Sequence, residues 1–171
     1  MVLRDGAANL TLDAVAAEAG ISKGSVLYDC KNKHALIKAI IERKIAIEDK
    51  KTEEAVAALA GQKNAEIRGR ITAAADWLDE ASESVALQLC SALTQDEDLQ
   101  ELVRVSCNHA LTAVTETSEN PGAAVVALLA LEGLRSLHFM GFHRWSASEF
   151  AELLAQIEKI AMTQGDATAP R

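Results

Sequence analysis

Aromatic residues make up only 4% of this 171-residue chain, with two prolines, nine glycines and three cysteines. So few glycines and prolines leave little material for sheet or long loops, and a helical chain is expected. Cys30, Cys90 and Cys107 show no paired spacing, which excludes a disulfide framework and fits reduced, buried thiols. A basic excess is missing too: the formal charge of −8 argues against a general nucleic-acid coat. No charged and apolar leader opens the sequence. The most continuous apolar run, residues 123–131, is too short to cross a bilayer before Glu132 interrupts it, so a cytoplasmic protein without membrane contact is expected. Catalytic signatures are also lacking, with no glycine-rich phosphate loop, nucleophile elbow or supported carboxylate pair, so the chain does not read as an enzyme. Cys30 with His34, and Cys107 with His109, form no zinc pattern, and a turn at Asn32 breaks the first set. Neither a metal nor a cofactor is expected.

What is present is concentrated near the start. The chain is 49% hydrophobic and long enough for a small head and one larger helical domain. Residues 1–45 carry seven Lys or Arg against five Asp or Glu, whereas residues 46–171 carry ten against twenty, a mildly basic head on an acidic body. Within the head, LDAVAAEAGISKGSV (residues 12–26) combines a helix, a tight turn and a second helix. Leu12, Val15, Ala16 and Ala19 share one apolar stripe, leaving Asp13 and Glu18 toward water. Gly20 ends that helix by entering the left-handed region, and Ile21 is expected to plug the turn. Ser22 can cap a second helix from Lys23 to Tyr28, with Val26 facing Ala16.

The longer run TLDAVAAEAGISKGSVLYDCKNKHAL (residues 11–36) resembles the helix-turn-helix of the tetracycline-repressor (TetR) family. The resemblance implies an all-α, dimeric repressor that binds a palindromic DNA operator and is released by a small-molecule effector. By match, Ser22, Lys23, Gly24, Ser25, Leu27 and Tyr28 form the groove-facing surface, and Lys33 holds a phosphate. Three departures stand out. Asp29 replaces a neutral or basic residue and sets a carboxylate near phosphate, and Cys30 replaces a packing phenylalanine. Of the family's first helix only residues 1–5 remain before Gly6, so either an upstream start or a less stable head is expected.

Beyond the motif, helical spacing and caps divide the chain further. Asn32 caps a long helix from about Lys33 to Leu59, in which Leu36, Ile40, Ile47 and Ala55 recur and Ile37, Ile41 and Ile45 widen the apolar face. Gly61 ends it, and helices are expected over 65–81 and 84–93. Thr94 with Glu97 has capping-box spacing for a helix over 96–118. Asn120 and Pro121 open another to about Met140, and Ser146 with Glu149 opens the last, to about Met162.

The helix from Pro121 is apolar on too many sides to serve one core: Val125, Val126, Leu128, Leu129, Leu131, Leu134 and Leu137 wrap past one face. It and the final helix, with Phe150, Leu153, Leu154, Ile157 and Ile160, are expected to pair with their copies in a homodimer, which the TetR resemblance also implies. Two heads about one helical turn apart can read a palindrome. The sequence thus divides into a DNA-binding head over 1–45 and an effector-binding and dimerisation domain over 46–171. Candidate effector contacts are Trp77, Cys90, Cys107, His109, His138, Phe139 and Phe142, which mix aromatic surface with a few polar groups. The competing reading is a TetR-like interaction module whose shortened head and Asp29 leave it unable to hold DNA.

Overall fold

The computed structural model describes residues 11–78 and 96–164. Among these, seven α-helices and one 3-10 turn make up the regular structure, with no strand. The all-α expectation holds.

In the head, α1 (Leu12–Ala19) starts where the Thr11 hydroxyl accepts from the Ala14 amide at 3.1 Å. It ends at Gly20, φ 66°, and the Gly20 and Ile21 amides donate back to the Ala17 and Ala16 carbonyls. That backbone clasp closes the turn. Ile21 does not plug it, as its side chain is half exposed, and Ala19 is exposed as well. After it, α2 (Lys23–Asp29) is capped by the Ser22 hydroxyl, which accepts from the Ser25 amide at 3.0 Å. Each of these helices buries one side chain, Ala16 and Val26, as the pairing of those positions requires.

The 26-residue α3 (Lys33–Ala58) begins where Asn32 Oδ1 accepts from the Ala35 amide at 2.8 Å. It runs unbroken through residue 45, the expected domain boundary. Its buried residues are Ile37 and Ile41, while Leu36, Ile40 and Ile45 pack beside them and Ile47 is exposed. The buried stripe is therefore turned by one position from the one the spacing suggested. Leu99 completes this small cluster from α5 (Glu97–Thr117). Asp96 caps α5, its carboxylate accepting from the Leu99 amide; the expected capping residue Thr94 lies outside the described residues.

α4 (Ala65–Ala73) packs against α3 so closely that Gly69 has no room for a side chain: a Cβ there would sit 2.4 Å from Val56 Cγ2 and 2.8 Å from its backbone nitrogen. The helix tightens into a 3-10 turn (Ala74–Leu78), earlier than expected, and the rest of that prediction, like the helix over 84–93, lies outside the described residues. α6 (Pro121–Phe139) is capped by Asn120, and α7 (Ala147–Ala161) by a capping box in which Ser146 and Glu149 exchange both hydrogen bonds.

α6 lies against α4, α5 and α7, and its Ala124, Ala127, Leu128, Leu131 and Leu134 join Ile67, Ile71, Trp77, Val114, Phe150, Leu154 and Ile157 in the main core. By length and composition, with a mean hydropathy of 1.4, the whole of α6 reaches what a membrane span needs, although its longest apolar run alone does not. Part of that apolarity faces the core, whereas Val126, Leu129 and Leu137 are exposed.

Asn64 fastens this bundle at one end. It is buried in the left-handed conformation at φ 54°, donates from Nδ2 to the Ala161 carbonyl, and accepts on Oδ1 from the Glu119 amide at 2.9 Å. One side chain thereby joins the entry to α4, the end of α7 and the loop before α6.

Candidate functional site

Two surfaces stand out: the exposed side of the helix-turn-helix, and a groove behind it along α3.

Because Val26 points into the head, the other positions of α2 face out. Lys23, Gly24, Ser25, Leu27 and Tyr28 are all exposed, Tyr28 to 88%. The Ser22 and Ser25 hydroxyls lie 2.9 Å apart beside the first turn, and Lys23 Nζ reaches back to Asp13 Oδ2 of α1 at 2.8 Å. Both members of that ion pair are well exposed, so it holds Lys23 by no more than about 1 kcal/mol, and a phosphate can displace Asp13. Lys33 is exposed at the first position of α3, where amides not yet used by the helix favour anions. The structure thus brings Ser22, Lys23, Gly24, Ser25, Leu27 and Tyr28 onto one short element, with Lys33 opening the next.

α3 links this surface to the body by two side-chain contacts. His34 Nε2 lies 2.8 Å from Asp96 Oδ2, so a head-proximal side chain meets the cap of α5. Asp98 places a further carboxylate within 4.8 Å of both ligand atoms, an exposed trio rather than either Cys–His set. The second contact is Glu48, which accepts from Lys44 of its own helix and from Trp77 Nε1 at 3.1 Å. Burial alone would raise the Glu48 pKa; the Lys44 hydrogen bond and charge, the Trp77 N–H and the Lys51 charge bring it below the usual glutamate value.

Between α3 and α5 runs an open groove of about 640 Å³. Ile45, Ala46, Leu102 and Val105 supply its apolar surface, and Glu42, Asp49, Asp98 and Glu101 set four carboxylates against the single lysine Lys38. His109 lines it as well.

Residues 64–162 match the sequence family described as tetracyclin repressor-like, C-terminal domain, over more than half of the chain. The chain belongs to the TetR family of transcriptional regulators. Two solved structures share the TetR-like fold: one described as a TetR-family transcriptional regulator from Rhodococcus sp., with a TM-score of 0.68 at 15% identity over 94% of this chain and 92% of that one, and a transcriptional regulator from Streptomyces coelicolor A3(2), with a TM-score of 0.65 at 20% identity over 95% and 92%. No functionally curated protein matches significantly.

Within this TetR body, the candidate effector contacts do not form one site. Trp77, His138 and Phe139 do converge: the Phe139 ring centroid lies 6.3 Å from that of Trp77 and 5.6 Å from that of His138. They are packed into or against the core, with Arg135 over the Trp77 ring at 5.1 Å and His138 also facing Phe150. His138 is buried with neither ring nitrogen hydrogen-bonded. Cys107 and His109 are exposed on α5, and Phe142 is 73% exposed beyond the end of α6. Cys90 lies outside the described residues. Sequence reasoning passed over Glu48 and the groove carboxylates, since acidic residues on long helices read as a solvated face.

Proposed function

We propose that this TetR-family regulator is a homodimeric, cytoplasmic DNA-binding repressor whose operator affinity is set by a small-molecule effector. The head over 1–45 would bind one half-site, and the domain over 46–171 would dimerise and take the effector. The observation that carries this reading is the division of labour on α2: Val26 is buried while Lys23, Ser25, Leu27 and Tyr28 are exposed together on a helix that a tight turn holds proud of α1. Such a helix can enter a major groove, its Lys and Ser side chains meeting phosphates or base edges and Tyr28 adding a ring and a hydroxyl.

Dimerisation is supported by the side of α6 turned away from the core. Val126 is 54% exposed and Leu129 59%, with Gly133 and Leu137 continuing the same stripe, and Ile160 and Met162 are exposed at the end of α7. An apolar stripe beside open space at Gly133 suits close packing against a second copy. Regulation is supported by α3, a single helix that starts at the DNA-facing Lys33 and carries the Glu48 contact to Trp77 in the core. An effector that binds one tilt of this helix better than another changes the separation of the two heads and so operator affinity.

The test is fluorescence anisotropy of the full chain on duplex DNA from beside its own coding region. Sequence-selective binding that weakens in Lys33→Ala and Tyr28→Ala supports the reading. A folded dimer with no affinity for any duplex would instead make the chain an interaction module.

A further inference from the structure

The α3–α5 groove combines apolar walls with an excess of negative charge. Ile45 and Leu102 rest on the Ile37, Ile41 and Leu99 cluster, so the apolar part is anchored rather than formed by loose side chains. Val105 continues it while 57% exposed, an apolar cost that a bound hydrocarbon would remove. Glu42, Asp49, Asp98 and Glu101 face this surface against Lys38 alone. Lys38 itself is only 3.9 Å from Glu42, too long for a strong pair, and Glu101 is engaged by Arg104 of its own helix. The groove, about 640 Å³, is open along one side, so a ligand lying in it keeps part of its surface in water.

We propose that this groove is the effector site and that its ligand is a small amphipathic organic cation, an ammonium or amidinium group on an aliphatic body. The proposal rests on the regulator reading and names the effector class for it. The cation would sit among Glu42, Asp49 and Asp98, and its hydrocarbon along Leu102 and Val105. Anionic ligands are repelled by the same carboxylates, and the imidazole of His109 is the one ring in the groove lining, so a planar polyaromatic body finds little to stack on. Because one wall is α3, occupancy acts directly on the helix that carries the head. The contrast with His138 is instructive: that imidazole is enclosed by Phe139 and Phe150 within the core, whereas the groove is open to an incoming ligand.

The experiment is calorimetric titration of the full chain, without DNA, with octyltrimethylammonium below its micelle concentration, alongside octanoate, octanol and spermidine. Octyltrimethylammonium should bind more tightly than the other three. Each two-carbon extension of the chain should tighten binding by about fourfold or more, because further methylenes leave water. The double variant Glu42→Gln, Asp49→Asn should weaken it by about three- to tenfold, and Lys38→Glu should tighten it, so a gain and a loss are both read. His138→Leu should leave it unchanged. Equal binding of octanoate, or insensitivity to all the groove variants, would overturn the proposal, as would loss of binding in His138→Leu alone. A basic amphipathic peptide that binds while the small cation does not would also overturn it, in favour of a protein partner. Since no DNA is present, a failure here leaves the operator experiment standing, and a chain that binds the cation but no duplex would separate the two readings the other way.

Discussion

The described part of the head and the body are both built from capped helices, yet they are held together very differently. α1 and α2 bury one side chain each, Ala16 and Val26, and their order comes from three local devices: the Thr11 cap, the Gly20 clasp and the Ser22 cap. The body instead fixes α4 to α7 around a continuous apolar core in which Phe150, Ile67, Leu131 and Val114 are essentially inaccessible. The difference follows from what each region offers its surroundings. A groove-reading helix must leave most of its side chains outside, so it can spend few on packing. On the proposed reading, the body must carry a change at one site to the head, and a large, close-packed core transmits strain.

If that contrast is correct, the largest stability losses belong to the body. Phe150→Ala, which empties the centre of the core, should destabilise the chain by about 3–5 kcal/mol in chemical denaturation. Next, Gly69→Ala should cost about 1–3 kcal/mol in the same assay, since its new methyl meets the Val56 backbone and α3 and α4 must separate. That sign is the reverse of what helix propensity alone gives, because an alanine inside an open helix would be favoured over glycine. Asn64→Ala should cost a similar or slightly smaller amount, about 1–3 kcal/mol, by leaving the Glu119 amide and the Ala161 carbonyl without their partner.

A smaller effect tests the joint between the regions. Glu48 has a lowered pKa in the folded chain, so its contribution to stability is complete above the ordinary glutamate range and is lost as pH falls through the folded value. Acid denaturation of the wild type should therefore be steeper below the ordinary glutamate pKa than that of Glu48→Gln; matching profiles would mean that the Glu48 charge contributes nothing to the joint. The smallest effect belongs to the head. Asp13→Asn should change stability by less than about 1 kcal/mol, because both partners of the Lys23 pair are exposed, while raising DNA affinity by freeing Lys23.

Local chemistry made much of this fold legible from sequence. Ser22, Asn32, Asn120 and the Ser146–Glu149 pair all cap the helices expected of them, because a cap is decided by a few adjacent residues. Tertiary features were harder to see. Ile21 and Ile47 are exposed although hydrophobic pattern alone places them inside, and the buried stripe of α3 is centred on Ile37 and Ile41. Asn64 looks like an ordinary loop residue until its partners, at positions 119 and 161, are brought to it. The groove was hidden for the same reason: its two walls are at least 49 residues apart, and no local pattern marks carboxylates that share a cleft. The exposed side of α2 is the opposite case, since a turn of fixed spacing sets which side of α2 faces out.

The most direct test of the central claim is the salt dependence of operator binding. With Lys23, Lys33 and Lys31, which is exposed in the turn between α2 and α3, meeting phosphate in both proposed subunits, the affinity should fall with a log–log slope near about −5, and Lys33→Ala should bring that slope about two units closer to zero. A flat salt response, or a slope the variant leaves unaltered, would contradict the assignment of this surface to DNA.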